Sequence, residues 1–250
     1  MTRAARYRLL IVGAAVLLLE GLCRTGVIDR LTMQPPSEMA RDLVALLASG
    51  SMNAAMLKTF INVAVAAGLA VAAGIAFGVA LHGHRAVRQG FEPLFATYYA
   101  IPVYAFYPLF IILFGLGDTP QVLIGFMLAV VAVIVNTLNG LDHVSRALIK
   151  TARVYRMGPI ATARAITLPS AAPWLLTGVK LAVAYAFIGV IGAEFIMSRT
   201  GIGYEISFAY NNFDNKTMYP LILLILAVSI VVNATLSHWE ELLMRRRGRS

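Results

Sequence analysis

NGLDHVSRALIKTARVYRMGPIATARAITLPSAAP, residues 139–173, interrupts an otherwise very apolar chain. It carries five Lys/Arg (Arg146, Lys150, Arg153, Arg156 and Arg164) against one acid, Asp142. Apolar stretches long enough to cross a bilayer lie on both sides of it. A basic, helix-patterned segment between two spans belongs on the cytoplasmic side. Its periodicity predicts a helix over Asn139–Met157 with two stripes. Leu141, Val144, Leu148, Ala152 and Tyr155 form the apolar one; His143, Arg146, Lys150 and Arg153 form the basic one. Gly158-Pro159 should end this helix, since glycine suits a helix end and proline a new first turn. A second short helix, about Ile160–Thr167, is expected to stop at Leu168-Pro169. By pattern alone, the segment serves equally as an anchor to anionic headgroups or as a docking site for a protein.

Working outward, the composition is 59% hydrophobic and 13% charged, against about 25% charged in a soluble domain. At 250 residues the chain is expected to be one domain. The net charge of +9 does not point to nucleic acid, because the basic residues punctuate apolar runs instead of gathering on one wet face. Cys23 is the only cysteine, so no intrachain disulfide forms. His82 and His84, two residues apart with no Cys or carboxylate cluster, make a poor metal site. The expected spans are about 9–23, 56–81, 93–114, 121–138, 174–197 and 219–237. Glu20 and Leu22 stand where a signal-peptide cleavage site would want small residues, so the first span is expected to be retained.

Lys/Arg asymmetry orients these spans. Fourteen fall in the N-terminal tail, the 82–92 loop, the 139–173 segment and the C-terminal tail, against six in the opposite segments. That bias predicts an all-α integral membrane protein, six transmembrane helices with both termini cytoplasmic. Ser37, after Pro35-Pro36, is the expected N-cap of a short amphipathic helix at the outer surface. Gly74 and Gly78 form a GxxxG suited to close helix packing. Residues 198–218 are expected to form a short helix across the outer mouth.

Polar and helix-disrupting groups within the spans mark candidates for a translocation path. Pro102 and Pro108 lie among tyrosines, including Tyr104 and Tyr107, which fits either a kinked packing helix or a helix lining a polar path. Asn136 suits an interhelical hydrogen bond or that same path. Glu194 lies near the outer end of the fifth span, and Lys180 near its inner end, where it can snorkel.

The 139–173 segment resembles the cytoplasmic signature loop of ABC importer permeases, written EAA, three residues, G, nine residues, I-x-L-P. Ile166, Leu168 and Pro169 match its end, and Ala152 its second alanine. Lys150 and Thr151 stand where Glu and Ala are usual; Arg156 holds the glycine position, with Gly158 two residues later. IPVYAFYPLFIILFGLG, TLPSAAPWLLTGVKLAVAYAFIGVIGAEF and GIGYEI are similar to the nitrate/sulfonate/taurine branch, and the resemblance runs from roughly residue 34 to 240.

It implies a type I ABC importer permease fold in a bacterial inner membrane, with 139–173 as an ATPase-coupling segment and Lys150, Thr151, Ala152, Arg153, Arg156, Gly158, Ile166, Leu168 and Pro169 as its coupling residues. It also implies a homodimer with a second copy of the permease, two ATPase subunits and an extracytoplasmic solute-binding protein delivering a small anion such as sulfonate, taurine or nitrate. No G-x-x-x-x-G-K-[ST] cradle occurs, so ATP and Mg are expected on a separate subunit, with no cofactor on this chain and no enzyme activity of its own. An ion-gradient-driven secondary transporter is the rival reading, disfavoured because the inner thirds of the spans lack ionisable residues. An intramembrane enzyme would need a nucleophile–base pair or ligand cluster among the spans, and neither is present.

Overall fold

In the computed structural model the protein is helical throughout, and the structure describes residues 3–30 and 32–245. Arg246, Arg247 and Arg249 of the basic tail lie outside the described residues, as do the side chains of Arg3, Arg8, Arg85 and Arg245. The helices are α1 (Arg3–Arg24), α2 (Pro36–Ser49), α3 (Asn53–Gly83), α4 (Arg85–Tyr98), α5 (Tyr107–Phe114) and α6 (Asp118–Asp142), then α7 (Arg146–Val154), α8 (Pro159–Thr162), α9 (Leu168–Met197), α10 (Ile202–Asn211) and α11 (Asn215–Arg245). Among the described residues, four runs are long and apolar enough to cross a membrane: α3, α6, the run containing α9, and α11. A fifth arises if α4 and the Val103–Phe114 segment, bent by 94°, count as one span. The charge-bearing α1 is not among them.

The core is a trio of α3, α6 and α9, packed through small residues. Ala66, Ala70, Ala129, Ala182, Ala186 and Val190 are all buried where these helices meet. Lipid supplies no hydrophobic force to press helices together, so association relies on close backbone approach. Gly74 and Gly78 both face α6: a Cβ on either would lie 2.6 Å from Val133 Cβ and 2.8 Å from Thr137 Cβ, respectively. At Gly189 an added Cβ would sit 2.6 Å from the Gly125 Cα, so α6 and α9 touch backbone to backbone. Ordinarily alanine gains about 1 kcal/mol over glycine within a helix. Here the overpacking cost of about 1–3 kcal/mol should prevail, because neither backbone has a side chain to move. Gly189→Ala is therefore expected to lower the melting temperature in detergent. An unchanged or higher value would mean that the pair separates freely.

Several sequence expectations are corrected. The loop proposed for 82–92 is mostly helix, since α4 begins at Arg85. Arg88 accounts for this: its guanidinium donates to both oxygens of Asp142, at 2.8 and 2.7 Å, and to Glu92 at 2.9 Å. The span expected over 93–114 is not continuous. Pro102 is non-helical at ψ 84 and disfavours helix at Ile101, so the chain turns between α4 and the 3-10 turn Val103–Phe106. Pro108 does the opposite, sitting in the first turn of α5, where its missing N–H costs nothing.

Ser37 is not an N-cap. Pro35 holds that position, and the Ser37 N–H and hydroxyl donate to Glu20 of α1 at 3.0 and 2.6 Å. The last helix outruns the span expected over 219–237, extending from Asn215 to Arg245. Residues 198–218 do contain a short helix, α10, whose Ile202 and Ile206 pack on Leu221 and Leu224 of α11.

Candidate functional site

At one end of the trio, the 139–173 segment forms a corner in which α7 is a separate short helix, while the second helix expected there is the start of a longer one. α6 runs on to Asp142, and the backbone then breaks over His143–Ser145. Tertiary contacts set that break. Asp142 is held by Arg88, while the His143 ring stacks on Trp174 with centroids 4.5 Å apart and its Nδ1 lies 2.7 Å from the Asn139 carbonyl. Leu141, Val144 and His143 are therefore not on α7. Of the expected basic stripe, Arg146, Lys150 and Arg153 remain together, all exposed. Thr151 is exposed too, its hydroxyl donating back to the Ala147 carbonyl at 3.0 Å.

The end of α7 explains why the family pattern places glycine where this chain has Arg156. The Met157 N–H donates to the Ala152 carbonyl at 2.9 Å, and the Arg156 N–H to the Arg153 carbonyl at 3.0 Å. This pairing is the Schellman C-cap, which requires left-handed backbone at its turning residue. Arg156 supplies it at φ 50, a conformation disfavoured for any residue with a Cβ. Gly158, by contrast, is extended at φ −67 with open space around it, so nothing there requires glycine. The helix end thus falls at Arg156, not at Gly158. Arg156→Gly is expected to stabilise the folded chain by about 1 kcal/mol, read as a higher melting temperature. A loss of stability would show that the arginine side chain offsets its strain.

Pro159 opens α8, and the chain then passes through a π-turn, Ala163–Thr167, directly into α9. The predicted stop at Leu168-Pro169 does not occur. The Leu168 N–H reaches back five residues to the Ala163 carbonyl, and this wider register accommodates the proline that follows. Ile166 is half-buried, and Leu168 and Pro169 are exposed. Ala152 is 2% exposed, whereas Val154, Tyr155 and Ile160 stand 80%, 76% and 71% exposed. All three are exposed in the short stretch of chain that also carries exposed Lys150, Arg153, Arg156 and Arg164. Large apolar side chains left exposed together with cations suit an interaction surface.

A second polar constellation occupies the opposite end of the trio. Glu194 is fully buried, 0% exposed. The Thr59 hydroxyl lies 2.9 and 2.8 Å from its two oxygens, and the Gly203 N–H donates to it at 3.0 Å. Thr59 in turn accepts the Ile202 N–H at 2.8 Å. Ile202 and Gly203 are the first residues of α10, so Thr59 and Glu194 satisfy two N–H groups that a helix start leaves without partners. Beside them, Lys58 pairs with Asp118 at 2.9 Å, Asn62 donates to Gln121 at 2.9 Å, and Gln121 donates to Ser198 at 2.7 Å. This strap ties α3, the start of α6 and the end of α9.

The remaining path candidates have different surroundings among the described residues. Tyr107 is buried with Val103, Ile124 and Ala193. Tyr104 is half-buried, its hydroxyl donating to the Ile188 carbonyl at 2.8 Å over Gly192. Pro102 and Pro108 are exposed. Asn136 donates to the Ala132 carbonyl of its own helix at 2.8 Å instead of bridging helices. Lys180 reaches Ser237 at 2.7 Å and lines a groove of about 330 Å³ between α9 and α11 with Ser229 and Asn233. Thr59, Gly201, Gly203 and Arg88 escaped the sequence reading. The lone acid Asp142 in a basic segment, and the G-x-G of GIGYEI, were the signals that could have found them.

The chain is a helical bundle with apolar helices long enough to cross a membrane and an exposed, basic corner at one end. Residues 64–249 match the model of the family described as binding-protein-dependent transport system inner membrane component, and the chain belongs to that family. It is a multi-pass, inner-membrane protein. It is 27% identical over 173 residues to the nitrate import permease protein NrtB of Leptolyngbya laminosa, covering 69% of this chain and 62% of that one, under two thirds of the relative's length. A probable ABC transporter permease protein of Brucella abortus is 25% identical over 227 residues, 88% of this chain and 90% of that one. The riboflavin transport system permease protein RibX of Chloroflexus aurantiacus is 33% identical over 161 residues, 64% of this chain and 59% of that one. Among solved structures, a chain of the MetNI methionine ABC transporter in inward-facing conformations shares the fold, at TM-score 0.63 and 14% identity, covering 76% of this chain and 94% of that one.

Proposed function

We propose that the chain is the membrane-spanning permease subunit of an ATP-driven importer, forming the translocation path for a small solute delivered by a solute-binding protein. It crosses the membrane six times, with α1 as the first span, the α4–α5 pair as the third, and both termini cytoplasmic. It pairs with a second copy, and each copy docks an ATPase subunit on residues 146–168. ATP and Mg stay on that partner, and this chain catalyses nothing itself. The observation that carries the reading is the exposure of Val154, Tyr155 and Ile160 together with cations at one end of the bundle. Lys150, Thr151, Ala152, Arg153, Arg156, Gly158, Ile166, Leu168 and Pro169 shape that corner. The nitrate and bicarbonate permeases among its relatives support a small anion, such as nitrate, a sulfonate or taurine, as the solute.

The test is uptake into proteoliposomes holding the chain with its ATPase, supplied with the binding protein and with labelled nitrate or taurine. Uptake is expected to require ATP and to survive ionophores that collapse proton and sodium gradients. Uptake that follows an ion gradient without the ATPase would establish the secondary transporter instead.

A further inference from the structure

We propose that the Thr59–Glu194–Gly203 cluster is a positioning clamp that makes α10 follow α9, so that movement at the ATPase corner reaches the outer mouth. The inference rests on the permease reading above and adds to it a residue set that the reading does not contain.

The helix is unbroken from Pro159 through the π-turn to Met197. From Leu168 to Glu194 that rod measures about 40 Å, at the usual rise per residue. Close Gly/Ala packing against α6 prevents it from sliding independently, so it moves with α6 and α3 as a block. At its far end α10 has two competing attachments. One is apolar, with Ile202 and Ile206 clustered on Leu221 and Leu224 of α11, and with Leu43 of α2 and Met56 of α3 packed against that cluster. The other is polar and belongs to α9 and α3, through Glu194 and Thr59.

The polar attachment is short and fully desolvated. Its fit leaves no slack: a Cβ on Gly201 would lie 2.2 Å from the Glu194 carboxyl carbon, and one on Gly203 would lie 2.3 Å from the Ile191 carbonyl. The Ile202 and Gly203 N–H groups both end on side-chain oxygens, 2.8 and 3.0 Å away, so this attachment is directional. Apolar contact with α11 is non-directional and lets α10 slip. A block movement of α9 therefore carries the start of α10 with it, while the α11 contact yields.

Hydrogen exchange on the complex of this chain with its ATPase subunits, without nucleotide and trapped with ATP and vanadate, tests this. In the native complex, nucleotide should alter exchange both in residues 146–168 and in residues 198–212. Thr59→Val keeps the shape and loses the hydroxyl. It should retain the inner response, lose the outer one, and exchange about tenfold faster at the Ile202 amide, as expected when that amide loses its one buried acceptor. Thr59→Ser should restore the outer response. Glu194→Leu, which removes the acceptor of the Gly203 N–H, is the second variant if Thr59→Val does not assemble, with the same split expected. An outer response that persists in these variants, or is missing from the native complex while the inner one is present, overturns the clamp. No nucleotide response in either segment of the native complex sinks the ATPase-docking reading itself, and the clamp with it.

Discussion

Replacing Ala152 with glutamate is expected to leave the chain inserted in the membrane and to separate it from the ATPase subunit proposed to dock at this corner. Ala152 is 2% exposed, and its carbonyl receives the N–H of Met157 in the turn that closes α7. A carboxylate placed there has no partner to balance it, and burying such a charge costs several kcal/mol. The chain avoids that cost by opening the corner, which displaces Val154, Tyr155 and Ile160. Losing about 3 kcal/mol at an interface weakens it roughly 100-fold, so ATPase copurification and ATP-driven uptake should both collapse while membrane insertion is normal. The check is a pull-down from detergent extracts alongside uptake. Wild-type copurification and uptake would remove this corner from the coupling surface.

The second large effect is expected at Gly201. Its φ of 103 is closed to other residues, and a Cβ would lie within 2.4 Å of both Glu194 oxygens. Gly201→Ala therefore combines backbone strain with a blow to a buried polar network, and about 4 kcal/mol should be lost. The melting temperature in detergent and the yield of extractable protein both report on it. Gly158→Ala serves as the control. With φ −67 and no atom within reach, it should stay within about 0.5 kcal/mol of the native chain. Equal effects at the two glycines would contradict this account of the turn.

How much of this was legible in the sequence depends on which force fixes each feature. The bodies of α3 and α6 could be read from hydropathy, and so could the helical patterning of 146–153. The GxxxG of Gly74 and Gly78 was visible and does pack against α6. The helix over Asn139–Met157 was misread because its periodicity persists through His143–Ser145, while the break is set by Arg88, 54 positions away in sequence from Asp142, and by Trp174. The third span was misjudged because a proline-containing stretch of aromatics reads alike whether the helix bends or stops. Glu194 was picked out for polarity and position, but only the fold reveals that Thr59 and Gly203 enclose it.

The sequence by itself determined that this is a multi-pass membrane chain with a basic segment between two of its spans, because hydropathy acts through the bilayer on each segment separately. It also carried the I-x-L-P ending and the helix-ending turn before it, which depend on residues a few positions apart. Only the tertiary structure decided that Arg156 occupies the left-handed cap, that the chain runs unbroken through Pro169 into α9, and that a buried carboxylate and a threonine hold the start of α10. Those features arise where groups distant in the chain satisfy one another's hydrogen bonds out of reach of water, and local pattern carries no record of such pairings.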